Sequence, residues 1–185
     1  MLPIRDDHPL RELFAGVVEN TFCSEVGLCE PRLTEYLSGL MLEFIHVDRL
    51  AVIQNAHGKR PEQIAAMLAV TCDDQPHSAK QRDCLMYRHL GDYSLFWSGL
   101  YPECLKRACS KPTDLLTDYV EQGKHSYAAA ARLCSGDTPP SSSLLQSLSE
   151  EFEACAYGLG LVRQHWEETR PRPHRPNTSP PDLIL

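Results

Sequence analysis

Apolar residues recur every three or four positions through most of the chain, the spacing of helices that bury one face. Leu10, Leu13, Phe14, Val17, Val18 and Phe22 form the first such stripe, behind Pro9, which suits a first helical position. Pro31 opens a second helix that carries Leu33, Tyr36, Leu37, Leu40, Met41, Phe44 and Val47 on one side. Gln54 to Gly58 reads as a turn, after a brief extended piece at Leu50 to Ile53, and Pro61 starts a short helix through Ile64, Met67 and Leu68. A longer helix is predicted from about Ser78 to Gly99 and a short one from Pro102 through Cys109. Thr113 is the expected N-cap of the next, which reaches Cys134, with Asp114 favouring the dipole of its first turn. Gly136 to Pro140 is a loop, and a final helix spans about Ser142 to Thr169. The β-branched alternation that strands require is missing. The pattern predicts an all-α, single-domain bundle of about six to seven helices over residues 1–169. The tail over 170–185 carries five of the fourteen prolines and no apolar periodicity, so it is expected to be disordered.

Composition narrows the function classes. A length of 185 residues fits one globular domain, and 42% apolar with 23% charged residues argues against wholesale disorder. No uncharged stretch approaches the roughly 18 residues of a membrane span. The acidic start, Met1 to Asp7, lacks the apolar core of a secretory signal. A formal charge of −7 argues against nucleic-acid binding, which needs a basic face, and Arg170, Arg172 and Arg175 are too few to supply one. The expectation is a soluble, cytoplasmic chain that engages neither nucleic acid nor membrane. Its eight cysteines include no C-x-x-C pair, so neither a zinc site nor, without a signal, a disulfide framework is expected. They are read as buried free thiols behaving as small hydrophobes.

Helical phase sorts the polar residues. On the helix near Ser78 to Gly99, His89 falls inside the apolar arc made by Leu85, Met86, Leu90, Tyr93, Phe96, Trp97 and Leu100, with Asp92 just outside its edge. The i, i+3 spacing lets His89 and Asp92 touch. Such a pair is either a core histidine satisfied by its neighbours, the favoured reading, or a general base or ligand. Glu43 and His46 have the E-x-x-H spacing of di-iron bundles, but no second such pair exists and His46 points to solvent. Glu121 and His125 also fall on a solvent side. Gly123 lies at the centre of a buried arc beside Tyr119, Gln122, Ser126 and Tyr127, which predicts close packing of another helix. In the last helix Leu145, Leu148, Phe152, Cys155, Leu159, Val162 and Trp166 define a core face, while Tyr157 and Leu161 stand opposite. That helix is therefore either central or covered by a partner, including a second copy of the chain. No nucleophile elbow, phosphate loop, dinucleotide loop or H-E-x-x-H occurs, and no cofactor or metal is expected.

The segment Arg88 to Glu103, with Gly91-Asp92-Tyr93, Leu95-Phe96-Trp97, Gly99 and Tyr101-Pro102-Glu103, resembles a stretch in uncharacterised bacterial all-helical proteins. Asp118 to Lys124 with Tyr127 is similar to a second stretch in the same group. The resemblance covers about residues 10–168 and implies a bacterial, cytosolic helical domain. It brings no activity to transfer.

Two functions follow as expectations. The leading one is a non-enzymatic helical domain that binds a protein partner or small ligand. The alternative is an enzyme or metal protein whose candidate polar cluster comprises His89, Asp92, Tyr93, Glu103, Tyr119 and Gln122 around a pocket. Gly91 to Glu103 is read as an interior joint that brings Glu103 near Asp92 if the chain folds back sharply after Gly99.

Overall fold

A computed structural model of the chain describes residues 9–45, 79–107, 112–134 and 140–169, and no strand occurs among them. Helix α1 is Pro9–Thr21 and α2 is Pro31–Ile45; α3 is Ala79–Leu100, α4 Pro102–Arg107 and α5 Pro112–Leu133; α6 is Ser142–Glu150 and α7 Phe152–Thr169. The all-helical class stands. The turn, extended piece and short helix expected between 50 and 68, together with His46, Cys72, Cys109 and the tail over 170–185, lie outside the described residues.

Pro9, Pro31 and Pro102 open helices as expected, because the fixed φ of proline suits the first turn and its missing N–H is not needed there. Pro112 takes that role for α5, so Thr113 sits inside the helix rather than capping it. Ser141 caps α6, its hydroxyl accepting from the Leu144 amide at 3.3 Å. Two expected helices differ in outline. The stripe through Phe22 does not continue as α-helix: Phe22–Val26 forms a π-helical turn, closed by Gly27 at φ 82°. The single helix expected from Ser142 to Thr169 breaks at Glu151, whose φ and ψ are −97° and 19°, and α7 begins at Phe152.

The core collects Phe14, Val18 and Phe22 from the first segment and Leu33, Leu37, Leu40 and Met41 from α2. It continues through Tyr93, Leu95, Phe96 and Leu100 of α3, Tyr127 and Ala130 of α5, and Leu145, Leu148, Phe152, Leu159 and Val162 of the last two helices. The most extensive packing is α3 against α5, while α7 lies against α3, α1 and the π turn. The second half of α3 is buried on every side rather than on one arc, taking in Gly91, Asp92, Ser94, Leu95, Ser98 and Gly99. Small residues explain this. A Cβ at Gly91 would meet Tyr127 at 2.8 Å, and one at Gly99 would lie 3.0 Å from the Ala156 carbonyl and the Leu159 side chain. Where a neighbour has no side chain to displace, another helix approaches to van der Waals contact.

The cysteine reading is corrected. Cys23 and Cys29 are bonded across the π turn, Cα atoms 4.4 Å apart, and Cys84 of α3 is bonded to Cys134 after α5, Cα atoms 5.7 Å apart. Both separations fall in the range a disulfide spans. Chain spacing could not show the second pair, because its halves meet only when α3 and α5 pack. Cys155 remains a free, buried thiol, and burial pushes its pKa up to about 12.

Candidate functional site

Asp92 is the centre of a buried polar cluster. It sits in the second half of α3, 4% exposed, where the helix is enclosed by α2, α5 and α7. Its Oδ1 accepts from the Tyr36 hydroxyl of α2 at 2.6 Å and from the Tyr127 hydroxyl of α5 at 2.8 Å. Phenol-to-carboxylate bonds of this length are charge-assisted and roughly twice as strong as neutral ones. Its Oδ2 faces the Arg88 Nε one helical turn earlier, at 3.9 Å. That distance is too long for a hydrogen bond, and Arg88 Nε has no hydrogen-bond partner, so the pair acts through charge.

The electrostatics agree. Burial, and then the adjacent Asp92 charge, hold the Tyr36 and Tyr127 phenols well above the usual tyrosine range, so both remain donors. Burial opposes the Arg88 charge, but Asp92, Tyr36 and Glu43 outweigh it and its pKa is raised. The carboxylate is thus held by donors from two other helices and a cation from its own. Three helices are cross-linked at one oxygen pair, and each group is restrained by the others.

The expected cluster divides into separate places. His89 is buried, as its phase predicts, on the same helix one turn before Asp92. Tyr93 turns to Tyr119, ring centroids 6.1 Å apart, and lies the same distance from Trp97. Burial first, and then Tyr119, push the Tyr93 phenol upward. Gln122 donates to Ser126 Oγ at 3.3 Å on its own helix. Glu103 sits in α4, just beyond the far end of α3, where Arg163 of α7 donates to its Oε1 at 2.6 Å. Arg163 also bonds the Leu100 carbonyl and Glu167, and its guanidinium carbon lies 4.6 Å from the centre of the Tyr101 ring. Along the axis of α3, Asp92 and Leu100 are roughly 12 Å apart, so the sharp fold-back needed to bring Glu103 to Asp92 is replaced by a clasp onto α7. Gly123 is packed as expected: a Cβ there would overlap the Phe152 ring and lie 3.0 Å from Ser94 Cβ.

Sequence reasoning missed Tyr36, Arg88 and Tyr127 as the partners of Asp92. Arg88 had a signal, the i, i+4 spacing on α3. The two tyrosines come from other helices, 56 and 35 residues away, where spacing along the chain says nothing. Glu121 and His125 are exposed, as their phases predict, and Glu43 is exposed as well. Among the described residues no three His, Cys, Asp or Glu side chains are grouped to hold a metal ion, and no helix is long and apolar enough to cross a membrane. Comparison with protein-family models, curated proteins and solved structures finds no match to this chain.

Proposed function

We propose that the protein is a non-enzymatic helical domain whose polar interior is architectural and whose work is binding at its surface. The observation that carries this reading is the state of Asp92. A general base needs a free lone pair facing substrate. Asp92 instead accepts two tyrosine hydroxyls and faces Arg88, all within the packed junction of α2, α3 and α5. Among the described residues, both Asp92 oxygens face groups of the fold itself.

The surface for a protein partner lies on α7. Tyr157 is 63% exposed, far more than the other aromatic side chains described, and Leu161 follows one turn later on the same face. A second copy of the chain docking face to face through these residues is the partner considered first, since one patch serves both sides of a two-fold contact. The two disulfides favour an oxidising compartment over the cytoplasmic location expected from sequence.

Sedimentation velocity over a wide concentration range tests the reading. The chain should self-associate, and Tyr157→Ser with Leu161→Ser should abolish this without lowering stability. Association unchanged in the double variant would remove α7 as the interface, and a stoichiometric metal in the purified protein would overturn the non-enzymatic reading.

A further inference from the structure

The two disulfides sit in opposite surroundings. Cys84 is 7% exposed, its Sγ 3.8 Å from the Ala130 carbonyl of α5, and its partner Cys134 follows directly on that helix. Cys29 is exposed and Cys23 half-buried, and no residue between them is fully buried. Thiol–disulfide exchange needs a thiolate to reach a sulfur atom, so access decides which bond reacts. We infer that Cys23–Cys29 is a redox-operated latch: a dithiol reductant opens it in the folded protein, releasing residues 24–29 from the core and α7, while Cys84–Cys134 stays closed. The inference does not depend on self-association through α7.

Exchange begins at Cys29, the more exposed partner. A reductant thiolate attacks Cys29 Sγ, the Cys23–Cys29 bond breaks, and Cys23 leaves as a thiolate that takes up a proton. The second thiol of the reductant, deprotonated, then displaces Cys29 from the mixed disulfide, and Cys29 takes up a proton in turn. Two electrons pass to the cysteine pair, and the dithiol ends as a disulfide. At Cys84–Cys134 the same attack meets a buried sulfur. The packing of α3 on α5, the most extensive in the fold, also holds a displaced Cys84 beside its partner, so the bond re-forms unless the helices part.

What the latch releases has defined limits. On the N-terminal side Phe22 is fully buried, its ring filling the space over Gly158 of α7, and Thr21 Oγ1 lies 3.3 Å from His165 Nδ1. On the other side the Glu30 carbonyl accepts from the Leu33 and Thr34 amides, both at 3.0 Å, so the first turn of α2 is held on its own. Neither anchor involves the cysteines. Between them the segment is held by the Gly27 and Leu28 amides donating to the Phe22 carbonyl, by Glu25 Oε1 at 3.5 Å from His165 Nε2, and by partial burial of Val26 and Leu28. Contacts so few and so close to solvent mark a segment that opens locally rather than with the whole domain. The Cys23–Cys29 bond restricts that opening by limiting the freedom of the open segment. Once reduced, the segment presents Val26, Leu28 and two thiols to solvent, a surface that the oxidised chain keeps closed.

The test treats the full native chain with dithiothreitol, alkylates free thiols with iodoacetamide at intervals, and locates the labels by peptide mass spectrometry. Cys23 and Cys29 should be labelled at least about tenfold faster than Cys84 and Cys134, and the difference should vanish in denaturant. Hydrogen exchange at the Gly27 and Leu28 amides should then accelerate at least about tenfold, with the Leu95, Phe96 and Ala130 amides unchanged. The double variant Cys23→Ser with Cys29→Ser should show the same fast exchange without reductant. Equal labelling rates, or Cys84 and Cys134 labelled first, would overturn the inference. So would unchanged exchange at Gly27 and Leu28, or exchange accelerated throughout α3 and α5. A double variant that does not fold would overturn it as well, because opening the latch must leave the domain folded.

Discussion

Replacing Gly123 by alanine adds one methyl group at the tightest helix contact described. The new Cβ would overlap the edge of the Phe152 ring and press on Ser94 Cβ at 3.0 Å. Phe152 is fully buried and cannot swing toward solvent. Its ring lies 6.1 Å from that of Tyr127, which in turn fills the space over Gly91 and holds Asp92 at 2.8 Å. A shift of Phe152 therefore meets the polar cluster rather than a void. Overpacking of this kind costs about 1–3 kcal/mol, and a blocked aromatic ring places it at the upper end. Alanine returns about 1 kcal/mol of helix propensity, so the net loss should be about 2 kcal/mol. In a domain of this size that is a fall in Tm of roughly 4–8 °C. Gly16→Ala is the matched control, because it gains the same propensity with open space around the new methyl. It should raise stability by up to about 1 kcal/mol. Urea unfolding of both variants measures the difference, expected at about 3 kcal/mol, in which the propensity contribution cancels. Equal stability of the two variants would refute the packing argument.

Asp92→Ala removes the acceptor of two buried hydroxyls and the counter-charge of Arg88, so a loss of roughly 3–5 kcal/mol is expected in urea unfolding, and a loss under about 1 kcal/mol would show that the cluster is not architectural. Tyr36, Tyr93 and Tyr127 have phenols raised above the unfolded value near 10, so they contribute no pH dependence below about pH 10 and lose stability above it, by about 4 kcal/mol per pH unit for the three together. Tyrosinate absorbance should accordingly show these three of the seven tyrosines ionising only with unfolding; seven smooth titrations in the folded state would contradict the burial. Opening the Cys84–Cys134 bond, whose halves are separated by 50 positions in sequence, should cost about 4 kcal/mol, and opening Cys23–Cys29 about 2 kcal/mol. Calorimetry with and without reductant reads this loss, and thiol titration of the denatured, unreduced chain should find no more than four of the eight cysteines free.

Helix positions were legible wherever the chain marked them locally. Proline at a first turn fixed the starts of α1, α2 and α4 in advance, and the i, i+3, i+4 stripes named Phe14, Val18, Leu37, Met41, Phe96 and Leu159 as core. The failures share a cause. Glu151 carries no breaker, yet the helix ends there, and Phe152, the first residue of α7, packs its ring against Gly123 of α5. The π turn at Phe22–Val26 sits within an unbroken helical stripe, and its only local mark is the glycine that closes it. Wheel arithmetic assumed one buried arc on α3, whereas glycine and serine on its other side admit α5 and α7. Hydrophobic periodicity detects large side chains facing a core. It does not register small ones that let a second helix in.

The candidate site follows the same division. His89 and Asp92 share a helix, and the burial of His89 follows from phase, whereas Asp92, outside the apolar arc, is enclosed because that part of α3 is buried on every side. Their expected companions were chosen by nearness in sequence, and the structure distributes them by nearness in space: Glu103 to Arg163, Tyr93 to Tyr119, Asp92 to Tyr36 and Tyr127. This bears directly on function. A carboxylate whose neighbours on its own helix were its intended partners could open toward a ligand by moving one helix. Asp92 is tied to α2 and α5 at the same oxygen, so exposing it means breaking two charge-assisted bonds and separating three packed helices. At roughly 1.5–3 kcal/mol for each bond to a charged group, that opening competes with the stability of the whole domain, typically about 5–15 kcal/mol.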